Sequence, residues 1–151
     1  MGSKLHINAK STFKIAKYIE DILKDIENVK LQGFVTGEKL TRLMGEAKVL
    51  LLPSVCYENC PLSILEAHCM GVPVVTMNSG GMAELVKNGV TGTLADAPTP
   101  KGIAAALRKT LENKDYYNNL KENCKNEKDN ILSIEEYCEV LIGEYEKILA
   151  R

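Results

Sequence analysis

Glu58 and Glu66 are the residues whose type and spacing most invite chemistry. Between them runs Asn59-Cys60-Pro61-Leu62-Ser63, and the surrounding stretch 49–76, VLLLPSVCYENCPLSILEAHCMGVPVVT, reads as strand, loop, helix, turn and strand. Pro61 suits the first turn of a helix, where its missing N–H had no partner to lose. Gly71 then supplies the left-handed residue that closes a helix over 61–70, and Pro73 forbids its continuation. The open N–H groups of Leu62 and Ser63, with the Ser63 hydroxyl and the positive end of the helix dipole, are suited to a phosphate. Glu66 lies more than a turn further in, too far to meet that phosphate. Its natural partner is a neutral polyol such as a ribose, whose two hydroxyls can both donate to one carboxylate. Glu58, in the loop, could do the same for a sugar ring. A plainer account stays open: Glu66 as a solvated helix residue and Glu58 as an ordinary loop acid.

These residues need a frame, and the rest of the chain supplies one. The apolar runs at 5–7, 29–35, 49–52, 74–76 and 92–95 read as short strands. Amphipathic stretches separate them. Ser11 or Thr12 caps a first helix, in which Ile15, Ile19, Ile22, Leu23 and Ile26 share a face. Thr36 caps a second helix through Ala47. A short helix is expected over 82–87, then one opened by Thr99-Pro100 with Ile103, Ala106, Leu107 and Leu111 inward. A polar surface helix is expected over 115–126. Ser133-Ile134-Glu135-Glu136 is a capping-box sequence opening a last helix. Its apolar stripe of Ile134, Tyr137, Cys138, Leu141, Ile142, Tyr145, Ile148 and Leu149 is core or a partner surface.

Strands alternating with helices predict an α/β fold, Rossmann-like and three-layered, with a parallel sheet of about five strands and helices on both faces. Such sheets bind ligands beyond the carboxyl ends of their strands. The loops at 8–10, 34–37, 53–60 and 77–81 gather at that edge.

Composition narrows the function. With 151 residues, 45% hydrophobic and 26% charged, the chain is read as one globular domain, 1–151, with 127–151 as a C-terminal helix. A net charge of −1 and the absence of Trp give no support to nucleic-acid binding. No apolar run approaches the roughly 20 residues of a membrane span. Five cysteines, an odd number, point to reduced thiols and a cytoplasmic setting. Their spacing does not make a metal site, so no metal is expected. Cys60 at a helix start could be an activated thiol, but a Cys-based phosphatase would want an Arg where Glu66 stands. An inert thiol is the simpler reading.

Three motifs together carry a resemblance. They are the two glutamates separated by seven residues, Gly71-Val72-Pro73-Val74-Val75, and Gly80-Gly81-Met82-Ala83-Glu84. Upstream, VKLQGFV and LTRLMGEAKVLLLPS extend the match. The chain is similar, over about 5–126, to the carboxyl-terminal domain of glycosyltransferase family 4, the glycosyl transferases group 1 of GT-B fold. The resemblance implies that Glu66 holds ribose hydroxyls and that Glu58 touches the transferred sugar as the catalytic carboxylate. The backbone of Asn59, Cys60, Pro61, Leu62 and Ser63 would cradle sugar and diphosphate. Main-chain atoms near Phe34 and Val35 would meet the nucleobase. It further implies retaining transfer of a hexose from a UDP-, GDP- or ADP-sugar in glycan or polysaccharide synthesis. No metal or other cofactor would take part, and the acceptor glycan or lipid would sit on an amino-terminal domain.

Two departures qualify this. Asn59-Cys60-Pro61 stands where the family often has Gly-Phe-Gly. The family's opening strand, with the Arg and Lys that neutralise the diphosphate, precedes the stretch matched here. Electrostatic stabilisation of that leaving group is a large part of such catalysis, so the chain alone is expected to be inactive or nearly so. The strand over 5–7 is expected to close against 49–52, giving the order 2-1-3-4-5, with a homodimer through the exposed sheet or the C-terminal helix as the alternative. The competing function is a non-catalytic Rossmann-like module that binds a nucleotide or a protein.

Overall fold

A computed structural model describes residues 5–8 and 13–150. The expected Ser11 or Thr12 cap and most of the 8–10 loop lie outside the described residues, as do the side chains of Ile15 and Ile19. The chain divides into two compact units, Met1–Leu43 and Met44–Arg151.

In the first unit, β1 (Leu5–Asn8), α1 (Phe13–Leu23) and β2 (Val29–Gly33) form a single crossover. β1 and β2 run parallel, with Leu5 opposite Val29 and Ile7 opposite Leu31. At the end of α1 Ile22 is exposed and Leu23 half-buried; Ile26, expected on the same helix face, lies beyond the helix and is exposed. α2 (Gly37–Gly45) follows, shorter at its end than the sequence suggested.

The second unit repeats the crossover twice. β3 (Leu50–Leu52), α3 (Leu62–Cys69), β4 (Val74–Met77), α4 (Gly80–Leu85) and β5 (Gly92–Ala95) give a parallel sheet in the order β3-β4-β5. β4 is central and every one of its residues is buried. This is why its sequence, VVTM, does not alternate in polarity. β3 stands at the end of this order, and all its residues are half-buried.

The α/β class with parallel strands holds, and both 2-1 and 3-4-5 are formed. The described pairings are those within each unit, β1-β2 and β3-β4-β5, and each is made by one crossover between successive strands.

Three helices follow: α5 (Pro100–Glu112), α6 (Lys114–Glu127) and α7 (Ile134–Leu149), with one 3-10 turn at Lys128–Asn130 before the last. Their starts obey the sequence. The Thr99 hydroxyl accepts from Gly102 N at 3.1 Å with Pro100 in the first turn. Ser133 and Glu136 form the reciprocal capping box. Glu136 holds its proton less readily than an ordinary carboxyl because the Ser133 backbone and hydroxyl bond its charged form.

α6 is a surface helix as expected, with most of its residues exposed; it buries Leu120 and Cys124 where it packs on α3 and α5. Of the two readings of the α7 stripe, core or partner surface, it is not core. The large apolar residues of α7 are all exposed.

Candidate functional site

The site is assembled by one loop and one helix of the second unit. The helix is α3, and its start differs in detail from the sequence reading. Pro61 is the N-cap, in extended conformation, and the first helical residue is Leu62. A proline at the cap brings no side-chain acceptor, and none caps this helix. The Ile64 N–H donates to the Pro61 carbonyl at 2.9 Å and opens the helical ladder. The N–H groups of Leu62 and Ser63 therefore have no intrahelical acceptor. Leu62 is exposed and Ser63 half-buried, so solvent or a ligand reaches this turn. Ile64 and Ala67 on the opposite side are fully buried and fix the helix. Gly71 ends it at φ +68, as its type demands.

Glu58 is held, not loose. Its Oε1 accepts a hydrogen bond from the Ser54 hydroxyl at 3.3 Å. The Ser54 oxygen in turn accepts from Cys56 N at 3.2 Å, and Glu58 N donates to the Cys56 carbonyl at 3.0 Å. The loop thus folds on itself around Ser54 and leaves the Glu58 side chain half-buried. Its other support is Gly80-Gly81. Gly81 N donates to the Glu58 carbonyl at 2.7 Å. A Cβ at Gly81 would overlap the Asn59 carbonyl, and one at Gly80 would stand 2.8 Å from the Glu58 oxygen. Only glycine lets the two loops touch backbone to backbone. Gly80 is also the first residue of α4, which begins two residues earlier than the sequence suggested.

Glu66 points away from the core. It is exposed, and its carboxylate makes no hydrogen bond or ion pair among the described residues. Asn59 and Cys60 are exposed in the loop and Pro61 is half-buried. Glu58, Asn59, Cys60, Pro61, Leu62, Ser63 and Glu66 therefore share one continuous loop and helix. Phe34 and Val35 lie in the turn after β2, in the first unit, the one exposed and the other buried. Sequence reasoning missed Ser54 as the holder of Glu58 and gave Gly80-Gly81 no contact. The Pro-Ser run before the loop was a signal for the first. Nothing local signals the second, because the contact joins loops more than 20 residues apart.

No helix among the described residues is long and apolar enough to cross a membrane.

The Glycosyl transferases group 1 family model matches residues 8–127. The amylovoran biosynthesis glycosyltransferase AmsK of Erwinia amylovora is 39% identical over 93 residues, covering 58% of this chain and 22% of that protein. An uncharacterized glycosyltransferase of Methanocaldococcus jannaschii, MJ1607, is 32% identical over 111 residues, covering 72% and 28%. This chain thus spans less than a third of these relatives. Among solved structures, Alr3699/HepE of Anabaena in complex with UDP superposes with a TM-score of 0.78 at 21% identity, over 93% of this chain and 41% of that one. The sucrose-phosphate synthase of Thermosynechococcus elongatus gives 0.83 at 22% identity, over 97% and 39%. Motifs, fold and matched span agree, and the chain belongs to the group 1 glycosyl transferases.

Proposed function

We propose that this chain is the donor-binding part of a retaining hexosyltransferase of glycan or polysaccharide synthesis, working in the cytoplasm. The observation that carries the reading is the uncapped start of α3, set between a braced Glu58 and an exposed Glu66. The diphosphate of a nucleotide-sugar accepts hydrogen bonds from the N–H groups of Leu62 and Ser63, where the helix dipole favours negative charge. The Glu66 carboxylate accepts from both ribose hydroxyls. Glu58, held by Ser54, faces the transferred sugar, where a fixed negative charge stabilises positive charge developing at the anomeric carbon. Asn59, Cys60 and Pro61 line the approach. The leaving diphosphate is received by the helix start and by basic side chains, with no metal in the scheme.

The solved relatives in complex with UDP make UDP the first nucleotide to test, ahead of GDP and ADP. In the same reading the acceptor, a glycan or lipid, is held by polypeptide beyond these residues. The basic groups that complete the leaving-group site belong there too, so the isolated chain binds donor without transferring sugar. The exposed face of α7 is covered by that polypeptide or by a second copy.

Calorimetry with UDP, GDP and ADP tests the reading. One of the three is expected to bind, and Glu66→Ala is expected to abolish the binding while leaving the fold intact by circular dichroism. Unchanged affinity in that variant contradicts the role of Glu66. No heat with any nucleotide favours a non-catalytic module.

A further inference from the structure

Where α3 leans on α6, a histidine is enclosed without a full set of partners. His68 is 2% exposed, in the last turn of α3. The Thr91 backbone lies beside its ring. The Thr91 carbonyl accepts from the Cys124 thiol of α6 at 3.2 Å and from Val74 N at 3.3 Å. The ring's Nε2 is buried and has no partner among the described residues. A neutral imidazole can leave only a lone pair at Nε2, which an apolar core tolerates. A proton arriving there adds both a charge and a donor with nothing to receive it, an arrangement that is costly in a buried site.

We propose that His68 makes the seating of α3 on α6 acid-sensitive, so that protonating its enclosed ring loosens α3 and the helix start that presents Leu62 and Ser63. The effect on ligand binding rests on the nucleotide-sugar reading of that helix start; the effect on stability does not.

The charges around the ring set the sign. Burial is the largest influence and holds the His68 pKa below its ordinary value. The Thr91 carbonyl and the Glu127 carboxylate of α6 oppose it, and the Lys87 ammonium beyond α4 reinforces it. Lys87 and Glu127 pair at 2.7 Å, which keeps Glu127 ionised below the usual carboxylate range, so its charge stays constant while the ring titrates. Burial pushes the Cys124 thiol up to about 12, so it stays neutral throughout. Glu84 of α4 is exposed, as are Glu66 and Cys69 of α3, and β4 carries no ionisable side chain. A depressed histidine contributes stability that is whole above the unfolded pKa of about 6.5 and is lost as pH falls through the folded value.

The test is a set of thermal melts between pH 8 and pH 5 on the whole chain, its His68→Met and His68→Gln variants, and His6→Gln as the control for the other histidine. In the wild type and His6→Gln, the midpoint is expected to fall by roughly 3–5 °C per pH unit below the unfolded histidine pKa. Both His68 variants are expected to lose that fall. The same slope in the wild type and a folded His68 variant overturns the proposal. Should both His68 variants fail to fold, the imidazole signals of the His6→Gln protein decide by NMR. A ring titrating below the ordinary histidine range supports the proposal, and one titrating at or above it overturns it. UDP binding at pH 7.5 and pH 5.5 separates the two readings. A pH-dependent midpoint without UDP binding defeats only the site assignment, whereas UDP binding with a flat midpoint defeats only the histidine.

Discussion

α6 and α7 are near-equals in length and opposites in fate. α6 spans 14 residues and most of them are polar or charged, yet two side chains, Leu120 and Cys124, reach zero exposure. α7 spans 16 residues with a continuous apolar stripe, yet its large apolar residues are between 37% and 85% exposed. The contrast shows that burial needs a partner surface as well as apolar residues. α6 packs on α3 and α5, and two well-placed apolar residues are enough to dock it. α7 supplies the stripe, but nothing among the described residues covers it.

Breaking the comparison starts with the core. Leu120→Ala is expected to cost about 2–5 kcal/mol of stability in urea unfolding, because α3, α5 and α6 cannot collapse into the space. The matched change on the other helix, Leu141→Ala, is expected to stay within about 0.5 kcal/mol. Equal costs would mean that α7 has a partner within the chain.

A substitution at the site sharpens the same point from a different side. Gly81→Ala is expected to cost about 1–3 kcal/mol, an overpacking penalty, since the new methyl runs into the Asn59 carbonyl and must move the loop carrying Glu58. The same unfolding measurement checks it, and a neutral result would mean that the loop yields freely.

What was legible in the sequence follows from range. β5 fell on Gly92–Ala95 as read, and α3 came within a residue or two at each end. Pro, Gly and apolar runs fix such local features through dihedral limits that act within a few residues. The Glu58 loop and the open start of α3 were legible for the same reason. Pro61 was displaced by one position, to the cap, where its extended conformation suits it equally well. What was not legible depended on distant chain. The contact of Gly80-Gly81 with the Glu58 loop is settled by which surfaces meet. So is the seat of His68, which lies between Ala67 and Cys69 in sequence but against Thr91 in space.

The proposed function puts a nucleotide diphosphate on the first turn of α3, and a two-dimensional amide NMR titration of the chain with UDP tests it. The largest shifts are expected on the N–H groups of Leu62 and Ser63, followed by Glu66. Binding that moves other amides and leaves Leu62 and Ser63 unshifted would contradict it.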